Sequence, residues 1–182
     1  MVIIDIFAVV EEALYSVQFE DEEFHEMERI FDLWNDPQYL TQFFEENIED
    51  LQNGFFGKIT VDEAVKKTFK EAQQLEDKLF DYAESGKTAN SETLSDLFQP
   101  LSPSENHLKS LEKSKAKSSW LRIYAVRLNT NVYVVSGGAI KLRKTMNDRD
   151  HLITELSKLE IVKRYLEEDD EADAIFFELS LK

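Results

Sequence analysis

At 182 residues and 42 % hydrophobic, with 13 Phe and 6 Tyr, the chain carries enough apolar surface to bury a sizeable core, which argues against a disordered protein. A formal net charge of −16 sets the molecule as a whole against nucleic acid and anionic membranes. The absence of cysteine excludes disulfides, thiol catalysis and cysteine-ligated metal, and it fits a reducing compartment.

The charge is unevenly spread. Between Lys109 and Arg149 there are ten Lys or Arg against two acids, Glu112 and Asp148, a local balance of +8 that leaves −24 for the remainder. An acidic body with one basic stretch is the more specific description. At the N-terminus, MVIIDIFAVV has no basic leader, and Asp5, Glu11 and Glu12 interrupt its apolar run. A signal peptide and a membrane span are therefore not expected, and a cytoplasmic location is.

Val2 to Val10 is a short apolar run and Ala13 to Phe19 alternates as a strand does; either suits a sheet edge, with a helix over Phe7 to Leu14 as the rival. Phe24, Met27, Ile30, Phe31 and Trp34 then repeat at helical steps and end near Asn35. Asp36-Pro37 caps and restarts the chain, and Tyr39, Leu40, Phe43, Phe44, Ile48 and Leu51 give the second helix its apolar face. Thr60 with Glu63 forms a capping box for a third helix from about Val61 to Glu84, closed by Gly86.

Residues 87–104, rich in serine and threonine with Pro100 and Pro103, read as a linker between a helical lobe (22–86) and a strand-rich part (105–182) of one domain. A short helix carrying Leu108 and Leu111 and a basic approach through Lys113, Lys115 and Lys117 lead into the strands. Leu121, Ile123 and Ala125 share one sheet face; Trp120, Arg122, Tyr124 and Val126 share the other, and the first set reads as core. Asn129 to Asn131 suits a hairpin loop returning through Val132 to Val135. Gly137-Gly138 is either a second turn or a bulge, and in both cases Lys141 and Arg143 oppose Ile140 and Leu142. The last helix begins near Asp148, with Leu152, Ile153, Leu156, Leu159, Val162, Tyr165 and Leu166 as its apolar positions. An acidic stretch from Glu167 to Asp173 follows, and IFFELSL returns as a final strand.

A sheet face bearing arginine, lysine and tyrosine can bind phosphate. Its alternative is a solvated cationic edge that discourages strand pairing, and Lys141, Arg143 and Lys144 suit either use. His25 among acids is a solvated helix position rather than a metal ligand, His107 and His151 have no partner at ligand spacing, and no glycine-rich phosphate loop is present.

Arg122-Ile123-Tyr124, then Val132 to Val135, the glycine pair, and Ile140-Lys141-Leu142-Arg143-Lys144-Thr145 before a last helix resemble the RelE/HigB-like toxins of bacterial toxin–antitoxin systems. The resemblance implies an α+β fold, with N-terminal helices packed with a small antiparallel sheet and a C-terminal helix. It implies a metal-independent endoribonuclease with no cofactor, acting on messenger RNA or at the ribosome and held by a helix-turn-helix antitoxin. In that chemistry a ribose 2′-hydroxyl attacks the adjacent phosphate, which needs a base, an acid and stabilisation of negative charge. Lys141 and Lys144 are then the base or phosphate clamp, Arg122 and Arg143 stabilise charge, and Tyr124 stacks or transfers a proton. This chain is longer and more acidic than those toxins, and its acidic helical part is expected to cover the basic sheet in cis. The alternative is a non-catalytic interaction protein on the same scaffold that binds an acidic protein partner.

Overall fold

The computed structural model describes residues 1–53, 56–101, 119–143, 149–167 and 176–180. It is an α+β fold in three layers: a helical layer, a six-stranded sheet, and a single long helix on the far side.

The two N-terminal apolar runs are both strands. β1 (Ile3–Val10) and β2 (Leu14–Phe19) form an antiparallel hairpin, with Glu12 in the left-handed region at the turn (φ 63°). The helix over Phe7 to Leu14 does not form. Three helices follow as caps and stripes dictate. α1 (Glu26–Trp34) is capped by His25, whose Nδ1 accepts the Glu28 N–H at 3.3 Å. α2 (Pro37–Glu46) is capped by Asp36 at the Gln38 and Tyr39 amides. The second helix expected to reach Leu51 breaks at Asn47 and resumes as α3 (Ile48–Asn53). α4 (Val61–Ser85) opens on the Thr60–Glu63 capping box and closes at Gly86. Gly86 is right-handed there; a glycine is needed because the Asn131 side chain lies where a Cβ would stand. That asparagine accepts the Leu94 N–H and donates to the Ala83 carbonyl, tying the β4–β5 hairpin to the helical layer.

The stretch read as a linker is structured in its described part. Thr93 and Asp96 form a second capping box on α5 (Leu94–Leu97), Leu94 and Phe98 are core, and β3 (Gln99–Pro100) adds to the sheet. The expected helix at Leu108 and Leu111, the lysines 113, 115 and 117 and the acidic segment 168–173 lie outside the described residues.

β4 (Leu121–Asn129) and β5 (Val132–Ile140) make the expected hairpin, and β6 (Phe176–Leu179) returns beside β4. The strand order is β1-β2-β5-β4-β6-β3, antiparallel throughout except for β2 beside β5. Gly137-Gly138 is no second turn. β5 is continuous, and its register against β4 slips at Ser136, between the Gly137 and Val135 partners of Tyr124 and Ala125. One extra residue reverses which face each later side chain meets. Tyr133 and Val135 join the core under the helical layer, yet Ala139 faces the opposite side, and Ile140 and Leu142 return to the first.

α6 (Asp150–Glu167) closes that opposite side with Leu152, Leu159, Val162 and Leu166 against Val17, Phe19, Tyr124, Val126 and Val134. Its buried stripe differs from the expected one: Ile153 and Tyr165 are exposed, and Glu155 and Lys158 are buried. Every position from Leu121 to Val126 is therefore buried, because a central strand between two covering layers has no outer face.

At Gly138 an added Cβ would stand 2.8 Å from both the Arg122 carbonyl and Ile30 Cδ1. Gly138→Ala is expected to lower stability by about 1–3 kcal/mol in chemical denaturation, through overpacking against backbone that cannot move aside.

Candidate functional site

Arg122, Tyr124, Lys141 and Arg143 do not form the solvent-facing basic surface expected from strand alternation. Arg122, Tyr124 and Lys141 do share one face, but it is the face beneath α6, and they are 2 %, 0 % and 6 % exposed. Arg143 lies beyond β5 and turns to the helical layer, where its Nη2 meets Asp50 Oδ1 at 2.6 Å. Lys144 is outside the described residues.

One carboxylate draws the first three together. Glu178 sits on β6 opposite Tyr124 in the β4–β6 ladder. Its Oε1 lies 3.2 Å from Arg122 Nε and its Oε2 3.3 Å from Lys141 Nζ. Two cations, one on β4 and one just past the end of β5, thus share one acid on β6. The Arg122 contact is an ion pair without hydrogen-bond alignment at Nε. The Arg122 Nη1 donates instead to the carbonyls of Ser119 (2.7 Å) and Leu121 (2.8 Å), which fixes the guanidinium against its own strand. Burial lowers the Lys141 ammonium from its ordinary pKa; Arg122 adds to this, and the opposing pull of Glu178 does not cancel it. Burial holds the Tyr124 phenol well above its ordinary value, with Glu178 pushing the same way, so Tyr124 is neutral at any physiological pH.

A second acid organises the other basic residues. Asp50 on α3 is buried and receives Arg143 Nε and Arg149 Nε and Nη2, each at 2.8 Å. Burial would raise its carboxyl, but the hydrogen bonds and charges of Arg143 and Arg149 outweigh that and hold it below the ordinary range. His151 is a half-buried structural group, with Nε2 3.1 Å from the Ile140 carbonyl and its ring edge-on to Phe43.

Four cations of the basic stretch, Arg122, Lys141, Arg143 and Arg149, are therefore paired within the fold by two acids, Glu178 and Asp50, that sequence reasoning did not single out. Glu178 left a signal: an acid at an alternating position inside the apolar run IFFELSL. Asp50 left none, since an acid beside Glu49 on a helix looks solvated. No set of three or more acidic or histidine side chains that could hold a metal ion occurs among the described residues, and no described helix is long and apolar enough to cross a membrane. No protein-family model, curated protein or solved structure matches this chain.

Asp50 gives a pH-dependent prediction. Its folded pKa is depressed, so its stabilisation is present above the unfolded value of about 3.8 and is lost as pH falls through the folded one. Asp50→Asn is expected to cost about 1–3 kcal/mol at pH 7, with the two arginines partly solvated. It should also flatten the acid limb of the stability–pH curve. An unchanged acid limb in urea titrations would contradict the assignment.

Proposed function

We propose that this chain is a non-catalytic interaction protein on a toxin-like α+β scaffold, which receives an acidic extended segment of a protein partner alongside β4. The observation that carries this reading is the Glu178 carboxylate: a strand of this chain already lies there and presents one acid to both Arg122 and Lys141. A partner strand taking the place of β6 would keep the β4 ladder and both ion pairs, so the two states differ little in contacts. The occupant has to be acidic, because an uncompensated buried cation is costly. The four-residue length of β6 makes it the least extensively paired of the three strands that meet at this site.

A second reading has its own observation. The lowered pKa of Lys141 is the condition a lysine needs to act as a general base, and Arg122 and Tyr124 stand in the same layer. On this reading the chain is a toxin-like, metal-independent endoribonuclease. The Glu178 carboxylate then takes the place of an RNA phosphate, and messenger RNA, the ribosome or an antitoxin gains access only when β6 leaves. The −16 net charge and the use of Arg122 Nη1 by backbone carbonyls favour the first reading.

The test uses the full chain carrying Glu178→Ala, with folding checked by circular dichroism. Two labelled probes are titrated: a peptide of the sequence DDEADAIFFELS and a 20-nucleotide single-stranded RNA. The interaction reading predicts salt-sensitive peptide binding that weakens at least about tenfold when Lys141→Ala is added, with no comparable RNA affinity. RNA binding without peptide binding, together with growth arrest on expression that Lys141→Ala relieves, would overturn it in favour of the nuclease.

A further inference from the structure

A second polar cluster lies under α6, away from Glu178. Glu26 opens α1 and is fully buried; Glu155 and Lys158 project from α6 and are each 5 % exposed. Lys158 Nζ lies 2.8 Å from Glu26 Oε2 and 3.2 Å from Glu155 Oε1. Arg29 closes on the same Glu26, with Nε at 2.9 Å and Nη2 at 2.8 Å from its two oxygens. Glu26 thus holds charge-assisted hydrogen bonds on both oxygens. Glu155 has only a longer share of Lys158, and its Oε2 has no hydrogen-bond partner among the described residues.

That oxygen rests on the backbone of Gly137. An added Cβ there would collide with it and would stand 3.0 Å from Glu26 Oε2, so both carboxylates converge on the same point of β5. The glycine at the bulge leaves the space that the Glu155 carboxylate fills. Two carboxylates share one ammonium and pack against bare backbone, and the better-bonded Glu26 leaves Glu155 the natural holder of a proton.

We propose that Glu155 is a proton-operated latch for α6: protonated, it lets the helix close on the Gly137 backbone, and ionised, it sets a second buried negative charge beside Glu26 and loosens the helix. The groups facing it are Lys158 from its own helix, Glu26 and Arg29 from α1, Tyr39 from α2 and Tyr124 from β4. Burial, with Glu26 adding, pushes the Glu155 carboxyl up to about 7 against the opposing pull of Lys158 and Arg29. Because the closed-state pKa is raised, the closed helix is favoured at low pH and that advantage is lost as pH rises toward and through about 7. α6 packs over Tyr124, on the sheet face that also carries Arg122 and Lys141, so its loosening uncovers part of that face.

Hydrogen–deuterium exchange of the α6 amides in the full chain, corrected for intrinsic rates, tests the latch. With an ordinary value of 4.5 in the open state, opening is expected to rise about 30-fold between pH 5.5 and 8. Glu155→Gln, which copies the protonated shape, should stay protected at both pH values. Infrared spectra of the unaltered chain should also contain the carbonyl stretch of a protonated buried carboxyl that disappears between pH 6 and 8. Equal pH dependence of α6 exchange in the unaltered chain and in Glu155→Gln, or no protonated carboxyl above pH 6, would overturn the proposal.

Discussion

The Glu178 carboxylate between Arg122 and Lys141 is the contact on which the strand-rich half depends. Arg122 and Lys141 are themselves buried, on the sheet face that also carries Tyr124. Left alone, each would carry a desolvation cost of several kcal/mol, more than the burial of a neighbouring leucine returns. β6 therefore has a reason to lie beside β4 beyond its backbone hydrogen bonds: it supplies the counter-charge. Removing the acid leaves two buried like charges without their counter-charge, and this unequal cost favours an acidic strand at the site.

The same arithmetic explains the distribution of charge along the chain. A +8 stretch in a −16 molecule suggests an exposed basic patch when read linearly. In the fold, four of the stretch's ten cations are turned inward or sideways: Arg122 and Lys141 to Glu178, Arg143 and Arg149 to Asp50. The helical layer does contribute to neutralising the basic stretch in cis, through Asp50, but the acid at the sheet comes from β6. Glu178 meets Arg122 and Lys141 across a long stretch of sequence because the last strand pairs along the outer side of β4.

Much of the fold was legible in the sequence, for local reasons. Asp36 and Thr60 sit at helix starts because backbone amides there need acceptors, and the Asn129–Asn131 turn follows from loop chemistry; His25, read as a solvated helix position, turns out to cap α1. What could not be read depends on covering layers. Alternation separates two faces of β4 without saying that both are buried, so Arg122 and Tyr124 looked solvated. The bulge at Ser136 reverses the phase of β5, an effect that depends on the partner strand. Glu155 and Lys158 fall in the buried stripe of α6 only because the cluster with Glu26 and Arg29 compensates them, a compensation formed across 132 positions between Glu26 and Lys158. Thr93–Asp96 is the converse case. Its capping box was present in the sequence but hidden by the serine-rich composition around it.

The claim that the sheet's cations are internal counter-charges is tested most directly by a double-mutant cycle between Lys141→Met and Glu178→Gln, with stability measured by urea unfolding at pH 7. A shared buried ion pair predicts a coupling energy of about 1–3 kcal/mol, with the double variant markedly more stable than the sum of the single losses allows. A coupling near zero would mean that Lys141 and Glu178 act independently, and would contradict the account.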